Sequence, residues 1–272
     1  MTRARAPAKI NLALAVGPRL PTGKHEVTTV LQRLQLADEV ELRPAPRLSV
    51  SGFDQDTLVR QALETLAEAA GTEIRWRTHL TKRIPVAAGL GGGSSDAAAA
   101  LRLANDTLER SLPHGELTRL ASSLGADVPF FLHPGPQLGE GDGSTLTPLE
   151  LPQDYAVLIV LAEGAEKLST GAVYEAFAAR DGSLGYAARR DGLLRALAAV
   201  REPADLAGLP RNDLVSTALA AELTDLGAFR ADVSGAGPAV YALFEDRAEA
   251  VSAARCFERR GRTWVTAPAW YV

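Results

Sequence analysis

The run Gly89-Leu90-Gly91-Gly92-Gly93-Ser94-Ser95-Asp96, passing straight into Ala97-Ala98-Ala99-Ala100-Leu101, constrains this chain more than any other stretch. Glycines let the backbone take positive φ and let another group approach its N–H row. An Ala-rich helix from about Ser95 to Leu108 would then open with unpaired N–H groups and a positive dipole end, a setting that favours phosphate. Ser94 and Ser95 can cap that helix or bond phosphate oxygens, and Ser95 is also a candidate to stand near a Mg²⁺ ion. Two familiar glycine loops are excluded. No lysine follows the glycines, as G-x-x-x-x-G-K-[ST] requires, and Ser94 stands where G-x-G-x-x-G counted from Gly89 needs a glycine. An isolated glycine pair reads as a tight turn against a strand; four glycines before a Ser-Ser helix start read as an anion site.

Composition narrows the class of protein around that loop. The 272 residues suffice for one large domain or two modest ones, and 46% apolar with 23% charged residues fits an ordinary enzyme-sized protein. A net charge of −4 gives no basic field for nucleic acid. The lone Cys256 cannot close an intramolecular disulfide, and His25, His79, His114 and His133 lack metal-ligand spacing. No run approaches the roughly 20 apolar residues of a membrane span. The expectation is a cytoplasmic protein without a resident metal cluster. Only Lys9, Lys24, Lys82 and Lys167 are lysine, against 25 arginines, which draws attention to each as a compact, tunable charge.

The first half alternates strand and helix patterns. Period-two alternation over residues 10–16 predicts a half-buried strand, with further short strands at 39–43, 47–51 and 74–80. Leu58, Ala62, Leu66 and Ala69 share one face of a helix over 57–70, with Gly71 as its C-terminal cap. A second helix spans about 115–124. The Gly/Pro-rich segment 133–153 lacks periodicity and suggests a seam near 150, dividing the chain into domains 1–150 and 151–272. Beyond it, Ala156 to Leu161 is a buried-strand run. Helical patterns follow at 171–179, 186–200, 213–225 and 246–259, and strands at 239–244 and 263–267. The class is α+β in two lobes.

Three motifs in fixed order resemble the GHMP kinases: Pro7-Ala8-Lys9-Ile10-Asn11-Leu12, the loop from Pro85 to Ser95, and Ser234-Gly235-Ala236-Gly237-Pro238. The resemblance implies an N-terminal ATP-binding lobe with a ribosomal-S5-like sheet and a left-handed crossover. It also implies a C-terminal, substrate-side ferredoxin-like lobe, with the active site between the two. Further runs, Gly23-Lys24-His25-Glu26-Val27, Gly125-Ala126-Asp127-Val128-Pro129-Phe130-Phe131 and Asn212-Asp213-Leu214, resemble one branch of that family. In that branch, ATP with Mg²⁺ phosphorylates the 2-hydroxyl of 4-diphosphocytidyl-2-C-methyl-D-erythritol, in non-mevalonate isoprenoid precursor synthesis.

Carried over residue by residue, the resemblance makes Asp127 the base that takes the hydroxyl proton and Lys9 the group that orients that hydroxyl. Lys82, Pro85, Gly89, Leu90, Gly91, Gly92, Gly93, Ser94, Ser95 and Asp96 would bind ATP. Asn11, His25, Thr170, Tyr174, Gly235 and Gly237 would bind the substrate, with His25 reading the cytosine edge and Tyr174 stacking on it. Taken alone, Asp127 reads first as a turn residue and Lys9 as a strand-end charge, and Gly235–Gly237 also admits a strand-to-helix turn. Lys24 stands where relatives usually carry a stacking tyrosine, and Thr57 where they often carry asparagine beside adenine. Partners are then a small-molecule substrate, without nucleic acid or membrane, the protein being a monomer or homodimer. The competing readings are a GHMP kinase for another alcohol, such as homoserine, and a catalytically dead regulator. The retained Lys9 and Asp127 argue against the second.

Overall fold

The computed structural model describes residues 2–165 and 169–270, so Lys167 lies outside the described residues. Strands β1 (Thr2–Arg19), β2 (His25–Ala45), β3 (Ser49–Ser51), β4 (Arg75–Thr81), β5 (Gln137–Glu140) and β6 (Thr145–Pro148) form a first sheet. Its spine is β2, which at 21 residues is long enough to pair with β1 on one edge and with both β5 and β4 on the other. β3 and β4 are parallel neighbours joined through helix α1 (Leu58–Ala69). That helix packs with α2 (Gly92–Asn105) and α3 (His114–Leu124) on one sheet face, around Trp76, Leu42, Leu66, Leu101 and Phe130.

The second sheet contains β7 (Ala156–Ala162), β8 (Arg230–Val233), β9 (Val240–Phe244) and β10 (Gly261–Thr266), in the order β10-β7-β9-β8 with all pairs antiparallel. Helices α4 (Thr170–Ala179), α5 (Tyr186–Ala199) and α6 (Ala218–Asp225) lie between β7 and β8, and α7 (Arg247–Arg255) between β9 and β10. The β-α-β-β-α-β sequence and the strand order make this lobe ferredoxin-like. The molecule is thus the expected α+β pair of lobes.

The departures from the sequence expectations have physical causes. The strand over 10–16 is real but eighteen residues long and buried on both faces from Ala6 to Gly17, because α5 of the second lobe covers its other side. The single strand β2 replaces the short one at 39–43. The aperiodic 133–153 holds the β5–β6 hairpin, hidden by Gly141 and Gly143 at positive φ. On α1 the buried residues are Val59, Ala62, Leu63, Leu66 and Ala67, and Ala69 is exposed. Helix α6 begins only at Ala218, since Asn212 and Asp213 spend their polar groups on tertiary bonds and Leu214 N–H donates back to Asn212 Oδ1.

Two irregularities in the β1–β2 ladder join the lobes. Leu12 is an extra residue in β1, between the pairs Asn11↔Leu31 and Ala13↔Val30. Its carbonyl accepts from Arg230 Nη2 at 2.6 Å and from Tyr241 Oη at 3.2 Å, both in the second sheet. Across from Ala8, residues 34–36 of β2 turn instead to the C-terminal segment, where Gln35 N–H donates to Ala267 O at 2.8 Å and Ala269 N–H to Arg33 O at 2.9 Å.

Candidate active site

A cleft of about 710 Å³ runs between the lobes. Lys9 and Asn11 enter it from β1. They lie two residues apart on one strand face, and Lys9 Nζ donates to Asn11 Oδ1 at 2.7 Å. Asn11 is itself fixed, its Nδ2 donating to Thr29 Oγ1 at 2.8 Å. The Lys9 backbone N–H is taken by Leu90 O at 2.9 Å, which ties the strand to the glycine loop. Lys9 is buried, while the Asp127 side chain is 44% exposed, its Oδ2 standing 3.6 Å from Lys9 Nζ. That separation is an ion pair too long for a closed hydrogen bond, and it leaves room for a hydroxyl to engage both groups.

Asp127 sits in the turn between α3 and a 3-10 segment, Pro129–Leu132. Val128, Phe130 and Phe131 are buried below it, and Arg33 holds the segment by donating to Phe130 O at 3.0 Å and His133 O at 2.6 Å. Phe131 also explains a glycine. A Cβ on Gly91 would fall 2.9 Å from both the Phe131 ring and Lys9 Cγ.

The helix after the loop starts at Gly92, three residues earlier than the sequence indicated, with Gly91 as its left-handed N-cap and no capping side chain. The first-turn N–H groups of Gly92, Gly93 and Ser94 therefore open onto the cleft that these residues line. Pro85, Gly89, Leu90 and Gly91 complete the loop wall. Ser95 faces inward and does not line the cleft; its Oγ is buried without a hydrogen-bond partner among the described residues.

Below the loop, Lys82 Nζ bridges the carboxylates of Asp38 and Asp96, both about 1% exposed. Burial pulls the Lys82 ammonium down, but the two carboxylates outweigh it and hold the group above the usual lysine range. Burial, more than Lys82 offsets, pushes the Asp96 carboxyl up to about 7, with Asp38 adding to the rise. Asp38 also accepts from the Ile84 N–H at 2.8 Å, fixing where the loop begins.

At the other end, His25 is buried, with Nδ1 2.8 Å from Gly17 O. A carbonyl only accepts, so Nδ1 carries the proton, and in the neutral ring Nε2, unpartnered among the described residues, is an acceptor. Its ring lies 5.4 Å from that of Tyr174. Burial, then Asp127, pushes the Tyr174 hydroxyl up to about 12. Thr170 lines the cleft one turn earlier in α4.

The second glycine loop joins β8 to β9, a strand-to-strand turn and not the strand-to-helix turn its sequence also allowed. A Cβ on Gly237 would lie 2.3 Å from the Ala88 backbone, and one on Gly89 2.2 Å from Ser234 O, so the two loops meet main chain to main chain. Gly235 faces the Lys9 end of the cleft, where a Cβ on it would lie 3.2 Å from Asn11 Oδ1 and 3.4 Å from Lys9 Nζ. Asn212 Nδ2 donates to Gly235 O at 2.7 Å, which gives the Asn-Asp-Leu run a bracing role.

Sequence reasoning brought most of these residues forward but passed over Asp38, Thr29, Arg33 and Arg230. Each is a buried polar residue inside an apolar strand pattern, and only its partners reveal its use.

The family models described as GHMP kinases N terminal domain and GHMP kinases C terminal match residues 57–135 and 194–263. The 4-diphosphocytidyl-2-C-methyl-D-erythritol kinase of Gloeobacter violaceus is 39% identical, covering 91% of this chain and 87% of that protein. The one from Salinispora arenicola is 38% identical, covering 91% and 85%. A crystal structure of 4-(cytidine 5'-diphospho)-2C-methyl-D-erythritol kinase superposes with a TM-score of 0.79 at 33% identity, covering 98% of this chain and 99% of that one. The chain belongs to the GHMP kinase family, among its 4-diphosphocytidyl-2-C-methyl-D-erythritol kinases.

Proposed function

We propose that this protein transfers the γ-phosphate of ATP to the 2-hydroxyl of 4-diphosphocytidyl-2-C-methyl-D-erythritol, with Asp127 as base. The observation that carries the reading is the Lys9–Asp127 pair, 3.6 Å apart in the cleft that the open N-terminus of α2 also faces. Phosphoryl transfer asks mainly for positioning and for charge around the moving group. The α2 N-terminus takes the phosphates, Lys9 orients the acceptor hydroxyl, and Asp127 accepts its proton. Phe53, Leu58, Ile84 and Val86 give the loop end of the cleft an apolar wall for adenine.

Mg²⁺ takes hard oxygens and keeps much of its shell for waters and substrate phosphates. Ser95 faces away from the cleft, whereas Asp96 lines it with Oδ1 unpartnered among the described residues, and that oxygen would help hold the ion at the start of α2. Bound there, Mg²⁺ would neutralise charge on the phosphates.

His25 supports a cytidine substrate, because an acceptor Nε2 suits the 4-amino group of cytosine and not a carbonyl. Among the described residues no helix is long and apolar enough to cross a membrane, and the one cysteine, Cys256, is exposed and free. The free thiol suits a reaction in the reducing cytoplasm.

Asp127→Asn tests the reading. The variant should bind ATP nearly as the parent does, while turnover falls by about 10²–10⁴, the range of a lost general base. Unchanged turnover would remove Asp127 from that role.

A further inference from the structure

The cleft wall between the nucleobase end and the reacting end carries an ion pair that the proposed chemistry leaves unused. Lys24 and Asp142 both line the cleft, with Nζ 2.6 Å from Oδ2. Lys24 precedes His25 in the turn from β1 to β2. Asp142 lies in the β5–β6 turn, where a Cβ on the next residue, Gly143, would lie 3.9 Å from Ala126 Cβ, beside Asp127. The pair therefore stands between the nucleobase reader and the base. That is the span a diphosphate must cross when its cytosine meets His25 and its alcohol meets Asp127.

The two partners differ in freedom. Asp142 is fixed by its own turn, its Oδ1 accepting from Ser144 Oγ at 2.6 Å and from Ser144 N–H at 3.2 Å. Burial pushes its carboxyl up, but the hydrogen bonds from Lys24 and Ser144 outweigh that and hold it below the usual carboxylate range. Lys24 is half exposed on a four-carbon stem and gives Asp142 one of its three N–H donors. The movable member is the cation.

We propose that Lys24 is a specificity residue for the anionic diphosphate of the substrate, and that Asp142 parks its ammonium while the cleft is empty. The proposal rests on the cytidyl diphosphate reading given above. On binding, the ammonium turns from one carboxylate to two phosphate groups. Asp142 is thereby a competitor that a weaker or uncharged ligand does not displace. An oxygen on the cytosine ring could attract the same ammonium, and nucleoside without phosphate separates the two sources.

The test is titration calorimetry of CDP and of cytidine against the full chain, the Lys24→Met variant and the Asp142→Asn variant. Lys24→Met should weaken CDP about tenfold and leave cytidine unchanged. Asp142→Asn should tighten CDP about threefold, by removing a competitor and a like charge, again with cytidine unchanged. Unaltered CDP binding in Lys24→Met overturns the proposal, and so does an equal loss for CDP and cytidine, which would put Lys24 on the base. CDP weakened by Asp142→Asn would make Asp142 an aiming group and overturn the parking. If the parent chain bound neither ligand, the cytidyl reading itself would fall, an outcome distinct from binding that the variants leave untouched.

Discussion

In the proposed reading, a single backbone contact at His25 sets a specificity. The carbonyl of Gly17 takes the proton of Nδ1, so in the neutral ring Nε2 has a lone pair to offer and nothing to donate. A uridyl analogue presents a carbonyl where cytosine has its amino group, and two acceptors would face each other. Such an analogue should bind about 10–100-fold more weakly, the usual value of one base-edge discrimination. Competition against the cytidyl compound measures it, and equal affinities would show that His25 does not read that edge. Asp96 supports a second prediction. Burial, with the charges of Asp38 and Asp56 adding to it and Lys82 only partly offsetting it, raises its carboxyl to about 7 from 3.8. The folded chain therefore holds a proton that the unfolded chain has released, between about pH 4 and pH 7. Stability from this group is fully present below that window and is lost as pH rises through it. Asp96→Asn should match the parent near pH 4.5 and gain on it steadily up to pH 7.5 in denaturant unfolding. A difference constant across that range would contradict the assignment.

At the scale of elements, the two glycine loops behave as one part. Gly237 and Gly89 are small because each lies against the other loop's backbone, at 2.3 and 2.2 Å from where a Cβ would sit. Main chain cannot yield as a flexible side chain can, so Gly237→Ala should separate the loops and displace Lys9 and Asn11 from Gly235. We expect a fall in turnover of about 10²-fold, the scale of a 1 Å misplacement, with only a modest change in melting temperature. A steady-state assay beside a thermal melt checks it; full activity would show that the loops need not meet. The elements also mark where sequence sufficed. That the glycine loop, Lys9 with Asn11, and Asp127 belong to one cleft was legible because each lies in a local motif. The length of β2 was not, since its second edge is shared between β4 and β5 and leaves no continuous alternation. Strand β8 was hidden because its Arg230 and Asp232, both buried, read as surface charge. Their partners lie up to 218 residues away, as with Arg230 and Leu12.

At the scale of the whole molecule, neither lobe holds a complete site. The first supplies Lys9, Asp127 and the glycine loop before α2; the second supplies Tyr174, Thr170 and the loop around Gly235. Arg230, reaching from β8 to the Leu12 bulge, fixes the two lobes at the strand that carries Lys9 and Asn11. The family's architecture was readable from the order of three motifs, whereas this joint depends on a bulge no pattern announces. The direct measurement is ATP consumption by the purified protein with Mg²⁺ and 4-diphosphocytidyl-2-C-methyl-D-erythritol, beside homoserine and mevalonate. Phosphorylation of the cytidyl compound alone is the expected result. Turnover only on another alcohol would keep the phosphate loop and the Lys9–Asp127 chemistry but contradict the substrate, and ATP bound without turnover on any of the three would contradict the kinase reading itself.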